Sequence, residues 1–141
     1  MSFKAFCFVC VSGIIFLLQV KQSNATFQHA KEVLQYFKRV RLDNTKNSVY
    51  QSQVRYGIRN VLRNPLLAKA GCLKREVKLS TDCLNRMVDR ARQHENKFYA
   101  KFTYACRGHA EYSAECLESA RPKYYRRLKA LVAQTEKCWK L

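Results

Sequence analysis

Four cysteines in the C-terminal half of the chain, Cys83, Cys106, Cys116 and Cys138, constrain its fold more tightly than any other feature. Cys83 and Cys106 lie 23 residues apart and Cys116 and Cys138 lie 22 apart, each pair bounding a stretch whose apolar residues repeat with helical period. Within one helix either pair would be separated by roughly 34 Å, at about 1.5 Å per residue. A disulfide tolerates Cα separations of only about 4.4–6.8 Å, so the bonds must cross between helices. Facing residues of an antiparallel pair share a constant index sum, and Cys106–Cys116 and Cys83–Cys138 agree in that sum to within one. The register predicts a helical hairpin closed by a disulfide at each end.

The N-terminus supplies a route to an oxidising compartment. Lys4, the apolar run from Ala5 to Leu18, and the small residues Ser23 and Ala25 have the three parts of a secretory signal peptide spanning residues 1–25. The run is too short for a membrane span. A single helical domain is expected over residues 26–141, a size suited to one modest core. Cys7 and Cys10 leave with the leader, so five of the seven cysteines remain. With two disulfides formed, Cys72 is expected to be unpaired, since it has no mirror partner in the hairpin register.

The whole chain carries a net charge of +17, and the leader takes only Lys4 and Lys21 with it, leaving +15. Such a density of positive charge accelerates encounters with anionic partners without naming one. Sequence-specific DNA reading is excluded by the leader and by the lack of zinc-ligand or leucine-zipper spacing.

Glycine and proline are scarce and no stretch alternates apolar with polar residues, so the fold class is all-α. A first helix is expected over about 27–41, with Phe27, Ala30, Val33, Leu34, Phe37 and Val40 on one face. A second, capped by Asn47 or Ser48, buries Tyr50, Val54, Ile58, Val61 and Leu62 and ends at Asn64-Pro65, where a short helical turn runs to Gly71. A third, capped by Ser80 or Thr81, carries Leu84, Met87, Val88, Ala91, Phe98, Phe102 and Ala105. The return helix, capped by Ser113, carries Leu117, Ala120, Tyr124, Leu128, Leu131, Thr135 and Cys138, with Pro122 as a candidate kink. Together these make a small disulfide-stapled bundle with a C-terminal antiparallel hairpin.

Nothing in the chain reads as an enzyme. His29, His94 and His109 fall on different elements with no metal-ligand spacing and are expected at the surface or at hinges, and no phosphate loop or nucleophile motif occurs. No cofactor and no metal are expected. The candidate partner-binding residues are basic: Arg121, Lys123, Arg126, Arg127 and Lys129 on the last helix, interleaved with Tyr124 and Tyr125, and secondarily Arg55, Arg59 and Arg63 on the second. Arginine beside tyrosine is a composition common to protein interfaces and anion-binding surfaces.

The chain resembles the anophensin/albicin family of small secreted salivary proteins of anopheline mosquitoes. The resemblance rests on its size, the leader followed by a short basic helical chain, the stretch Arg63-Asn64-Pro65-Leu66-Leu67-Ala68-Lys69-Ala70-Gly71-Cys72, and the later Cys83, Cys106, Cys116 and Cys138. It implies a secreted, non-enzymatic inhibitor of host plasma cascades. The implied target is the convertase of the alternative complement pathway, with contact-system factors as further partners. It assigns no site residues. Two other classes stay open: a cationic scavenger of heparin-like glycans or other anionic polymers, and a carrier of a small hydrophobic ligand.

Overall fold

In the computed structural model, residues 20–40, 48–107 and 114–139 are described. Residues 1–19, 41–47, 108–113 and 140–141, among them Asn47, Gly108, His109 and the expected cap Ser113, lie outside them. Helix α1 spans Val20–Phe37, α2 Ser48–Tyr56 and α3 Asn64–Gly71, with a π-helical segment, Gly57–Arg63, joining the last two. Helix α4 spans Thr81–Ala105 and α5 Ala114–Lys137. The described residues form no strand, and the fold is all-α.

The two longest helices, α4 and α5, pack against each other as an antiparallel hairpin. Ser80 caps α4, its side chain accepting from the Cys83 amide at 3.3 Å, and Asp82 stands in the first turn where the helix dipole favours an acid. Leu84, Met87, Val88, Ala91, Phe98 and Phe102 face Cys116, Ala120, Tyr124, Leu128, Leu131 and Thr135, all buried. Disulfides join Cys83 to Cys138 and Cys106 to Cys116, with Cα separations of 6.1 and 5.0 Å. Between them Phe98 stacks on Tyr124 and Arg90 donates to Gln134, so one antiparallel register holds along the whole hairpin. Helix α5 continues through Pro122 and touches α4 on both sides of it, at Cys116 and at Tyr124.

Four expectations need correction. The first helix begins at Val20 and ends at Phe37, where hydrogen bonds from Lys38, Arg39 and Val40 to the third residue back tighten the last turn. Its buried stripe is His29, Val33, Phe37 and Val40, while Phe27 is 71 % exposed and Leu34 faces solvent too. The stripe is narrow because α1 packs chiefly on one helix, α3, and His29 Nε2 reaches the Lys74 carbonyl at 3.2 Å, fastening α1 to the connector before α4. His29 is thus a buried packing residue rather than a surface one.

The second helix does not end at Asn64-Pro65. Asn64 keeps helical dihedrals, φ −61° and ψ −43°, and the chain stays helical to Gly71. A proline ring normally collides with the carbonyl four residues back and lacks the donor to pair it. The π segment immediately before Pro65 bonds five residues back instead of four, which widens the turn and relieves both problems.

Cys72 is disulfide-bonded in the full-length chain. The expectation of an odd thiol concerns the protein from residue 26 onward, from which Cys7 and Cys10 are absent.

Gly57 opens the π segment tight against α5. A Cβ there would stand 2.8 Å from Tyr124 Cε1, 2.9 Å from Leu128 Cδ1 and 3.2 Å from Tyr125 Cε1. Gly57→Val should therefore destabilise the protein by about 2 kcal/mol or more, the scale of an overpacked core, read as a lower urea midpoint. Peptide mapping of the unreduced secreted protein should recover Cys83 joined to Cys138 and Cys106 joined to Cys116.

Candidate partner-binding surface

The basic residues fall on two helical runs that contain no acid. From Ser48 to Gly71 there is no Asp or Glu, and the same holds from Ser119 to Thr135, with Glu118 and Glu136 at the borders of the second run. The runs lie side by side and parallel. The Tyr125 hydroxyl donates to Gln53 Oε1 at 2.8 Å at one end, and Lys69 Nζ pairs with Glu136 at 2.6 Å at the other. The two acid-free runs thus make one continuous face of the molecule.

The structure divides the expected residues of α5 among three directions. Lys123, Arg126 and Lys129, three residues apart, are exposed. Arg121 is half-buried and paired with Glu118. Arg127 points to the opposite flank, where its charge bears on His94 of α4. Tyr124 does not belong to the surface at all: it is 1 % exposed and stacked face to face on Phe98, with ring centroids 4.5 Å apart and planes 5° apart. Burial, then the nearby Glu95 carboxylate, push its phenol above the ordinary range. Tyr125 is half-buried, its ring 5.6 Å from that of Tyr56. On the other run Arg55 and Arg59 are exposed, whereas Arg63 is partly buried with Nε directed at Asn64 Oδ1 at 3.4 Å.

Between the runs lies an open groove of about 430 Å³, lined by Tyr56, Asn60, Val61, Pro65, Tyr125, Lys129 and Val132. Tyr56 is 54 % exposed and forms one wall with Tyr125. Positions 56, 60, 61 and 65 share this groove because the π turn advances the face by four to five residues, more than the α period allows. Reading the segment with an α period therefore missed Tyr56, Asn60 and Pro65. The signal present in the sequence was a glycine inside an apolar helical pattern, Gly57, eight residues before a proline.

His94 stands on the hairpin beside this face. Burial foremost, followed by the cations Arg127, Lys97 and Arg90, lowers its pKa below the ordinary histidine value. The unfolded chain then binds a proton at a higher pH than the folded one, so stability is complete above the unfolded histidine pKa and falls as pH drops through it. Between pH 7 and pH 5 the melting temperature should fall, and His94→Gln should flatten that slope.

Comparisons with known proteins agree with this architecture. Residues 22–139 match the family described as Aegyptin, C-terminal domain. The gSG7 salivary protein of Anopheles stephensi is 43 % identical over 126 residues, 89 % of either chain, and that of Anopheles darlingi is 41 % identical over the same length and share. Among solved structures, a mosquito complement inhibitor from Anopheles freeborni superposes with a TM-score of 0.71 at 41 % identity, covering 79 % of this chain and 93 % of that one. An anophensin from Anopheles stephensi does so at 0.60 and 44 %, covering 78 % and 93 %.

Proposed function

The chain belongs to the Aegyptin C-terminal domain family, among gSG7 salivary proteins of anopheline mosquitoes, and on that premise we propose that it is a secreted salivary protein that inhibits host complement by binding. One observation carries the reading: over 79 % of its length the chain shares its fold, at 41 % identity, with 93 % of a mosquito complement inhibitor. Secretion follows removal of residues 1–25. A cut after Ala25 shortens α1 but leaves the packing of His29, Val33, Phe37 and Val40 in place. The target is the convertase of the alternative pathway, with contact activation as a further point of action, and the surface that meets it is the acid-free face of Lys123, Arg126, Lys129, Arg55 and Arg59.

Capture of heparin-like glycans is the second reading, favoured by the cation density of that face. Ionic strength and competition separate the two. Glycan binding driven by counterion release weakens steeply with salt, whereas a packed protein interface is less sensitive.

The protein from residue 26 onward should block alternative-pathway haemolysis at submicromolar concentration, an affinity of roughly −8 kcal/mol or better, and excess heparin should not abolish the effect. Reversing Lys123 and Arg126 to glutamate should weaken inhibition about tenfold, or about 1.4 kcal/mol, with unchanged helical circular dichroism because both side chains are exposed. Complete loss of activity in heparin would assign the protein to glycan capture instead.

A further inference from the structure

The groove between the two acid-free runs has a chemistry that the flat cation rows beside it lack. Its floor is apolar, formed by Val61, Pro65 and Val132, and its walls are the rings of Tyr56 and Tyr125. Lys129 is the cation that lines it, and Arg55 and Arg59, both exposed, lie next in sequence to the lining residues Tyr56 and Asn60. No acid occurs in either run to compete for these cations. Rigid tyrosine rings over an apolar floor, with a cation at the edge, are the make-up of interface positions that dominate binding.

We propose that this groove seats one aromatic or large apolar side chain of the protein that the chain inhibits, carried on an extended acidic segment of that protein. The anchor ring packs against Tyr56 over Pro65 and Val132, and a carboxylate that flanks it meets Lys129, while the exposed Arg55 and Arg59 of the same acid-free run add longer-range attraction. The inference rests on the complement reading for the identity of the partner, and on the groove alone for the partner's chemistry. A sulfated sugar offers the floor only the shallow C–H faces of its rings, too flat to fill the space between Val61 and Val132, and is served better by the open row of Lys123 and Arg126. A free apolar ligand leaves the cations unmatched. An acidic segment with an apolar anchor satisfies both halves of the site.

Affinity here divides in two. The cations raise the rate of encounter and orient the segment, while the buried anchor supplies the discrimination, since removal of a large side chain from such a pocket commonly costs tenfold or more. Tyr56 and Lys129 are on the surface, so replacing either leaves the core untouched.

The test uses the protein from residue 26 onward and three seven-residue peptides: a central Phe flanked by Asp and Glu, the same peptide with a central Ala, and the central Phe flanked by Lys. Titrations followed by NMR should show the acidic Phe peptide shifting resonances of Tyr56, Val61 and Val132. Each of the other two should bind at least about tenfold more weakly, and Tyr56→Ser should bring the acidic Phe peptide down to the level of the Ala peptide. Equal binding of the Phe and Ala peptides, or shifts centred away from the groove, would overturn the proposal; so would a heparin tetrasaccharide that shifts the groove residues at lower concentration than the Phe peptide. In the haemolysis assay, Tyr56→Ser and Lys129→Glu should each raise the half-inhibitory concentration about tenfold. If the unmodified protein inhibits and both variants inhibit equally well, the groove is not the contact and the complement reading stands. If the peptides bind as expected and the unmodified protein does not inhibit, the complement reading falls and the groove keeps its chemistry for another acidic partner.

Discussion

Phe98 lies between two tyrosines, with Tyr124 stacked on one side at 4.5 Å and Tyr50 on the other at 5.1 Å. The three rings come from α4, α5 and α2, so a single aromatic column fixes the separation and rotation of three helices. Stacked pairs contribute about 0.5–1.5 kcal/mol each beyond the area they bury. One turn before Phe98, the buried Glu95 receives the Tyr50 hydroxyl at its carboxylate, 3.4 Å away, and at its backbone carbonyl, 3.2 Å away. A buried carboxylate demands such donors, which ties the height of α2 on the hairpin to one hydrogen-bonding group. With Tyr124 turned inward to the column, its neighbour Tyr125 is turned toward α2, and the wall of the groove follows from the core.

The π segment is the second consequence of that column. For α2 to bring Tyr50 onto Phe98 and still run beside α5, its backbone must pass close over Tyr124 and Leu128, and Gly57 is the residue that permits it. The widened turn then accommodates Pro65 without ending the helix. A single continuous rod from Ser48 to Gly71 results, and Lys69 at its far end meets Glu136 of α5. The partly exposed ion pair adds at most about 1 kcal/mol, yet it aligns the two acid-free runs along their whole length.

What was legible in the sequence follows the physics of periodicity. The stripes of α4 and α5 stood out because long helices buried on one face repeat their apolar positions many times, and the cysteine spacing supplied a register that residue patterns alone lack. Glu95 interrupted the stripe of α4 between Ala91 and Phe98, and its burial depends on a tyrosine 45 residues away, information no local pattern contains. The stripe of α1 was misplaced because its apolar residues cover a wider arc than α3, its main neighbour, can bury, leaving Phe27 and Leu34 in water. Tyr124 and Tyr125, adjacent and alike in composition, divide between core and surface. The π turn was invisible to an α period, and with it the residues of the groove.

The closeness of backbone to side chain at Gly57 also bears on the time course of binding. The walls of the groove are set by a helix–helix approach that leaves no room to breathe and by a Tyr125 hydroxyl tied to Gln53, so little order has to be created when a partner arrives. Within one interface, differences in affinity are expressed mainly in how fast the complex comes apart. In the binding mode proposed for it, a stiff groove with a charged edge separates two clocks: the charges govern how soon a partner is met, and the floor governs how long it is kept. For an inhibitor that acts by occupancy, the second clock sets how long its effect lasts.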